Sequence, residues 1–489
     1  MKTVIHWFRR DLRVSDNTAL SEAAKRAEEV IPVFIFEDAF RTGPDVGAAR
    51  LAFLLQSVES LRKNLVELGH TLIIRCGKSG EILPQLCQET GAQAVFANKR
   101  YEPYAQKRDE RITGILNAAG FGFELFKDAV VWEEAEILTQ AGKPYTVFTP
   151  YSRAWKAKPV PPPRVKFKKF NIQRSTLNIQ CDELPSSTDE IGYPLAQTLL
   201  PAGERAALKL LRKFMAGPVY EYSGNRNFPA IDGTSNLSPH LRAGTIGIRT
   251  ILAELKKGRE NISSVGDEVT SLKSKSSQRL LTSSPTSTAG CDVFLNELIW
   301  REFYLQVLHN FPHVTKGAFR PEYEQLAWSV NQEHFVAWCE GRTGYPIVDA
   351  AMRCLNATGT MHNRLRMVVA MFLTKDLLIN WQWGERYFMK QLVDGDMAAN
   401  NGGWQWSAGT GTDAAPYFRI FNPVSQGEKF DSEGKFVRRW IPELKDFPDD
   451  LIHQPWENPL LLAKIKYPPR VVLHEEQREK WLAMFKAVK

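Results

Sequence analysis

Over the first 135 residues, short apolar runs alternate with amphipathic stretches. Val4–Phe8, Val30–Phe36, Leu72–Ile74 and Ala94–Ala97 are nearly unbroken apolar runs of strand length, as expected of strands covered on both faces. Between them Asn17–Glu29, Ala48–Leu68 and Ser79–Thr90 show helical spacing, and Tyr104–Ala119 follows. Strand–helix alternation at this rhythm predicts an α/β fold with a doubly wound, parallel, Rossmann-like sheet. Ligands of such sheets bind outside the carboxyl ends of the strands. The charged loop Arg9-Arg-Asp-Leu-Arg13 lies at such an end, although plain surface charge explains any one of its residues. No Gly-x-Gly-x-x-Gly occurs in this region, which argues against an NAD site.

From about 136 to 205 the pattern dissolves. Pro159-Val-Pro-Pro-Pro163 and the charged, hydroxyl-bearing stretch after it predict a long linker over the surface. From 206 to 489 helical periodicity dominates, which predicts an all-α second domain. Within it, residues 256–290 are rich in Ser, Lys and Thr with almost no aromatics, and predict a flexible loop inserted between helices. The expected division is therefore 1–135, a linker over 136–205, and 206–489.

Composition changes this picture little. The chain of 489 residues has room for two or three cored domains. A net charge of +8 admits a nucleic-acid partner without demanding one. The 13 tryptophans and 27 phenylalanines are the unusual entry, since large aromatics often sit where flat ligands bind. Six scattered cysteines without a Cys-x-x-Cys pair predict free thiols, a reducing compartment and no structural zinc. The N-terminus does not read as a signal peptide, and no apolar stretch reaches membrane-spanning length, so a cytoplasmic protein is expected.

Four constellations carry candidate chemistry. In Asp394-Gly-Asp-Met-Ala-Ala-Asn400-Asn-Gly-Gly-Trp404-Gln-Trp406, paired acids, clustered amides, a Gly402-Gly403 hinge and two tryptophans suit a wall for a large, flat, polar-edged ligand. In Phe294–Asn310, helical spacing puts Glu297, Trp300, Arg301 and Tyr304 on one face, either a pocket lip or an ion pair beside core aromatics. Met361–Trp381 predicts one long helix with Asn363, Arg366, Met367 and Ala370 on a face; a buried Arg366 needs an acid, and Asp394 or Asp396 could supply it. In Gly217–Gly244, the hydroxyls and amides ahead of a helix suit a phosphate, while Ser238 equally suits a helix N-cap without any ligand. Gly409-Thr-Gly411-Thr-Asp-Ala414 formally fits the dinucleotide fingerprint but has no preceding strand, and is set aside.

Trp300-Arg-Glu-Phe-Tyr304, Thr343–Arg353, Met361-His-Asn-Arg364, Asp394 through Trp406 and Phe418–Pro423, together with the N-terminal His6–Arg13, resemble the photolyase/cryptochrome family over nearly the whole chain. The resemblance is strongest to class I cyclobutane pyrimidine dimer photolyases. It implies an antenna-chromophore α/β domain and a helical domain holding FAD. Tyr222, Thr234, Ser235, Asn236, Leu237, Ser238, Asn363, Arg366, Asp394, Gly395, Asp396 and Asn400 match the FAD-binding positions. Thr234 to Ser238 would hold the phosphates, Arg366 and Asp394 would pair beside the flavin, and Asn400 would face flavin N5, where a neutral amide suits a reduced, anionic flavin. Arg226, Glu297, Trp300, Asn363, Met367 and Trp406 match lesion-binding positions, with Arg364 and Gln426 at the DNA backbone. Trp404, Trp381 and Trp328 match a chain carrying electrons inward to the flavin. The implied reaction is a light-driven electron cycle on a flipped-out dimer in UV-damaged DNA, catalysed by a monomer without metal, with deazaflavin or methenyltetrahydrofolate as the antenna.

Two features depart from the pattern: Thr360 stands where many relatives carry Trp, and the 256–290 insert is long. Two rival readings are a cryptochrome-type photoreceptor without repair and a non-enzymatic nucleic-acid module. Asn400 and Met361–Met367 favour dimer repair over the former, and the flavin wall has no purpose in the latter.

Overall fold

The computed structural model describes residues 1–43, 46–164, 181–195, 200–273 and 288–488. Five strands, β1 (Thr3–Phe8), β2 (Glu29–Phe36), β3 (Ile73–Cys76), β4 (Ala94–Asn98) and β5 (Gly122–Phe126), form one parallel sheet in the order β3-β2-β1-β4-β5. Helices α1 (Thr18–Arg26), α2 (Ala39–Thr42), α3 (Ala48–Glu67), α4 (Ser79–Thr90) and α5 (Pro103–Ala118) are interleaved with them. Val4, Phe8 and Phe34 pack on one face of the sheet and Ile5, Trp7 and Val33 on the other, so both faces are dry. That is why the strands read as continuous apolar runs. β5 was not legible, because all its residues are only half-buried at the sheet's edge.

The helical part comprises α6 (Phe148–Lys156), α7 (Glu204–Met215), α8 (Tyr222–Asn225), α9 (Ser238–Ala243), α10 (Ile248–Lys273), α11 (Ala289–Asn310), α12 (Gln332–Glu340), α13 (Pro346–Thr358), α14 (Asn363–Met371), α15 (Trp381–Gln391), α16 (Met397–Ala408), α17 (Pro423–Phe430), α18 (Lys435–Trp440), α19 (Pro459–Leu462) and α20 (His474–Lys486). The doubly wound α/β domain and the helical domain are as expected. Three details differ. The predicted loop at 256–290 is helical as far as Lys273, since α10 carries straight on, and α11 begins at Ala289; residues 274–287 lie outside the described residues. The predicted linker at 136–205 contains α6, whose Tyr151 and Trp155 are buried among the helical domain's core residues; 165–180 and 196–199 lie outside the described residues. The single helix predicted from Met361 ends at Met371, and a π-helical turn, Phe372–Asp376, intervenes before α15. The Thr374 hydroxyl back-bonds to the Ala370 carbonyl at this break.

The two domains are joined by a buried ionic network. The strand order reverses between β1 and β4, the usual ligand crevice of such sheets. Here arginines from the loop after β1 occupy it. Arg9 binds Asp109 at 2.6 Å, Arg10 binds Glu102 at 2.6 Å, and Arg13 binds Asp128 at 2.6 Å. Arg249 of α10 reaches across to Asp16 and Asp128, both at 2.8 Å. No helix among the described residues is long and apolar enough to cross a membrane. The cysteines are all free, as expected.

Candidate functional site

Arg366, one turn into α14, settles which acid it needs. Its Nη2 bridges both oxygens of Asp394 at 2.8 and 3.1 Å, and its Nε donates to the Met361 carbonyl. The Asp394 side chain is 6% exposed and that of Arg366 is 29% exposed, so the acid depends on the base more than the reverse. Asp396 has another role: its Oδ1 accepts from the amides of Ala398 and Ala399, capping α16. Its Oδ2 lies 3.7 Å from Arg10 of the α/β domain. Gly395 sits between them, and its carbonyl accepts from Arg242. Burial, with Arg10 and Arg50 nearby, lowers the pKa of the Arg242 guanidinium well below its usual value. Asn400, one turn into α16, donates to the Glu385 carbonyl at 2.9 Å and is half-buried.

Gly402 and Gly403 do not form a hinge. Both are inside α16, and a Cβ on Gly402 would overlap the ring of Tyr304, so this glycine lets α16 close against α11. Gly384 serves Trp404 in the same way, since a Cβ there would overlap the indole. Gly384→Ala is therefore expected to destabilise by about 1–3 kcal/mol through overpacking. Urea unfolding checks this, and Gly403→Ala, where a Cβ meets nothing within 4 Å, is the matched control.

The Thr234–Ser238 segment, expected to take phosphates, leads into α9. Leu237, not Ser238, occupies the N-cap position, and no side chain caps the helix, so the structure does not support the capping reading of Ser238. Asn236 has φ 53°, a left-handed conformation that asparagine adopts more readily than other non-glycine residues and that turns the chain ahead of α9. Ser235 Oγ accepts from the Leu237 amide at 3.4 Å, and Thr234 and Ser238 keep part of their surface open. Tyr222 is buried edge-on against Phe214 and Phe294, and burial raises its hydroxyl pKa. Hydroxyls without capping duty, a left-handed kink and an acid–arginine pair fit a dinucleotide cofactor of the FAD type.

On α11, Glu297 does not pair with Arg301. Its Oε1 accepts from Arg226 Nη1 at 2.6 Å, whereas Arg301 turns inward and donates to the Ala129 carbonyl. Trp300 is half-buried, as is Trp406 on α16. Asn363 is exposed at the first turn of α14 and Met367 half-buried one turn on. Arg364 donates to Asn227 Oδ1 at 2.6 Å and lies over the ring of Phe430. Gln426, on α17, has a buried Oε1 with no partner. Thr360 is held in a local hydroxyl cluster, its Oγ1 2.8 Å from that of Thr358.

His362 was missed by the sequence reading. Its Nδ1 caps α14 by accepting from the Arg364 amide, and its Nε2 is buried without a partner. Burial, with Arg366, Arg364 and Arg226 around it, lowers its pKa to about 4, so it is neutral at pH 7. Its signal was unreadable because Arg226 comes from far along the chain. Trp404 and Trp381 are buried and Trp328 is half-buried. The Trp404 indole meets Phe388 at 5.0 Å and Trp338 at 6.0 Å, and Trp328 lies 5.9 Å from Trp481.

The acid–arginine pair, the open hydroxyls and the buried aromatics of the helical domain suit a flavin dinucleotide, which makes the class a flavoprotein. Residues 4–166 match the family model described as DNA photolyase, and residues 294–487 match that described as the FAD binding domain of DNA photolyase. The chain is 39% identical to a deoxyribodipyrimidine photo-lyase of Salmonella typhimurium and 40% identical to that of Escherichia coli, in each case over 100% of this chain and 99% of the relative. Among solved structures, a class III photolyase from Agrobacterium tumefaciens superposes with TM-score 0.87 at 36% identity, covering 100% of this chain and 98% of that one. A photolyase from Sulfolobus tokodaii with two FAD molecules gives 0.79 at 32%, covering 99% and 100%. A Synechocystis cryptochrome gives 0.85 at 26%, covering 99% of both chains. The chain belongs to the DNA photolyase family and is an FAD-dependent lyase of light-driven DNA repair.

Proposed function

We propose that this chain binds UV-damaged DNA, turns a cyclobutane pyrimidine dimer out of the helix, and splits it with light. When bound and reduced, FAD supplies the photoexcited electron that opens the cyclobutane ring and then recovers it. The observation that carries this reading is the Arg226–Glu297 ion pair beside the half-buried Trp300 on α11. A carboxylate held by an arginine accepts hydrogen bonds, so Glu297 suits the N3–H edge of a flipped pyrimidine. The Arg226 charge beside it favours negative charge developing on the dimer. Trp300 and Trp406 supply stacking faces, which bases accept whatever their sequence. Arg364 and Gln426 contact the DNA backbone. On the cofactor side, Tyr222, the Thr234–Ser238 segment, Asn363, Arg366, Asp394 and Asp396 hold the FAD, and the neutral Asn400 amide, which offers no acidic proton, keeps it anionic. Trp404, Trp381 and Trp328 relay electrons inward from the surface. The class I assignment rests on the motifs, and an antenna chromophore, deazaflavin or folate in type, completes the light path. Domain limits of 1–135, 136–205 and 206–489 and a monomeric state belong to the same reading.

The test is illumination of the holoprotein with dimer-containing DNA while recording dimer loss against wavelength. Dimer loss following flavin absorption is expected, with an added longer- or shorter-wavelength band from any antenna; light absorption without dimer loss would instead favour a photoreceptor. Glu297→Gln is expected to lower the quantum yield of repair within the bound complex several-fold, and an unchanged yield would remove Glu297 from the mechanism.

A further inference from the structure

The stretch between the domains carries a helix, α6, that is fastened to α11 and to the loop after α16. The ring of Phe148, at the start of α6, stacks on the Trp300 indole with centroids 3.8 Å and planes 5° apart. Phe303 meets both rings edge-on, at 6.0 Å and 76° to Phe148 and at 5.6 Å and 80° to Trp300. Tyr304 lies 5.4 Å from the same indole. One face and one edge of Trp300 are therefore fixed by neighbours.

The position of α6 is itself overdetermined. Trp155 Nε1 donates to Glu302 Oε1 at 2.7 Å, and the amides of Val131 and Trp132 donate to the same carboxylate at 2.6 and 2.9 Å. Lys156 Nζ donates to Asn296 Oδ1 at 2.7 Å. Both acceptors lie on α11, flanking Trp300. At the other end of α6, the Phe148 amide donates to Asp413 Oδ2 at 3.0 Å, and Thr412 Oγ1 donates to the Thr146 carbonyl at 2.7 Å. Thr412 and Asp413 belong to the loop that follows Trp406 and α16. The Gly409–Ala414 segment, set aside as a nucleotide fingerprint, thus has a structural use: it moors the helix that backs Trp300.

We propose that Phe148 is a positioning residue for lesion recognition, holding the Trp300 indole in one plane so that its opposite face is ready to stack on the flipped dimer. The proposal rests on the assignment of Trp300 to the lesion made under Proposed function. An indole held in place loses less rotational freedom when the dimer docks, so preorganisation appears as affinity for damage and not as affinity for DNA in general. Phe148 carries no charge and neutralises no phosphate, so the salt-dependent, sequence-independent part of binding is not expected to change with it.

The experiment measures dark binding of the FAD-loaded protein to matched oligonucleotides with and without a single cyclobutane dimer. Phe148→Ala is expected to weaken dimer binding roughly three- to tenfold and to leave undamaged DNA unchanged. Phe148→Tyr, which restores the stack, should restore the discrimination. Phe148→Leu, which keeps apolar volume but no ring, should behave as Phe148→Ala with full FAD content, and this covers the case in which the alanine variant folds poorly. In a Trp300→Ala background, Phe148→Ala should cost nothing further. Unchanged dimer affinity in both Phe148→Ala and Phe148→Leu, equal losses on both DNAs, or additive losses in the double variant would each overturn the proposal. If the unmodified protein itself fails to prefer dimer DNA, the function proposed above falls as well; if it prefers dimers and only Trp300→Ala abolishes that preference, the failure belongs to Phe148 alone.

Discussion

Arg366→Leu is expected to cost about 3–5 kcal/mol and to yield protein largely devoid of flavin. The reason is the uneven burial of the pair. Arg366 Nη2 spans both oxygens of an Asp394 whose side chain is 6% exposed. Removing the arginine strands a carboxylate that water barely reaches, and a buried charge without a partner costs far more than the pair is worth. The reverse change should be milder. Asp394→Asn leaves Arg366, at 29% exposure, able to turn toward solvent, and keeps an amide oxygen for it to bind. The visible absorbance per mole of protein and urea midpoints of the two variants check the order. Equal losses, or a greater loss in Asp394→Asn, would show that the uneven burial of the pair does not set the cost.

Asp128→Asn is expected to weaken the union of the domains by a similar amount, about 3–5 kcal/mol. Arg13 and Arg249 approach Asp128 from the α/β and helical domains at 2.6 and 2.8 Å, and Thr18 adds its amide and hydroxyl. The neutral variant leaves two buried guanidiniums beside Asp16, whose carboxylate accepts from Arg249 and whose backbone carbonyl accepts from Arg13. Burial alone would raise the pKa of Asp128, but Arg13 and then Arg249 more than reverse this and hold it well below the usual carboxylate range. A depressed folded-state pKa means that the unfolded chain binds the proton first. The stabilisation is therefore fully present above the unfolded value of about 3.9 and is lost as pH falls below it toward the folded value. Unfolding free energy measured from pH 7 down to pH 3 should drop on the acid side in the parent protein. In Asp128→Asn the drop should be shallower and begin from a lower plateau. Parallel acid limbs would show that other carboxylates govern it.

What was readable along the chain followed from how local each cause is. The continuous runs Val4–Phe8 and Val30–Phe36 announced a sheet covered on both faces, because every residue of both runs is buried. β5 was lost because edge strands mix half-buried residues of both kinds. The break in the helix after Met371 was invisible, since Phe372-Leu-Thr-Lys-Asp376 holds no Gly or Pro to mark a break while its hydrogen bonds slip by one residue. The Gly402-Gly403 pair was misread as a hinge because a glycine required by a neighbour's ring looks, in sequence, like one required for bending.

By itself the sequence determined the two-domain class and the family, and it named the candidate residues for the site, because residue types and spacing along a helix or strand are properties of nearby positions. The tertiary structure decided the pairings. It bears out the Arg366–Asp394 pair that the resemblance implied, and it alone gave Glu297 to Arg226 and not Arg301, and Phe148 to Trp300. Each of those choices joins residues from separate elements, and which of two equally suitable partners is met depends on how helices pack against one another, through contacts such as Gly402 against Tyr304, not on anything written beside the residue itself.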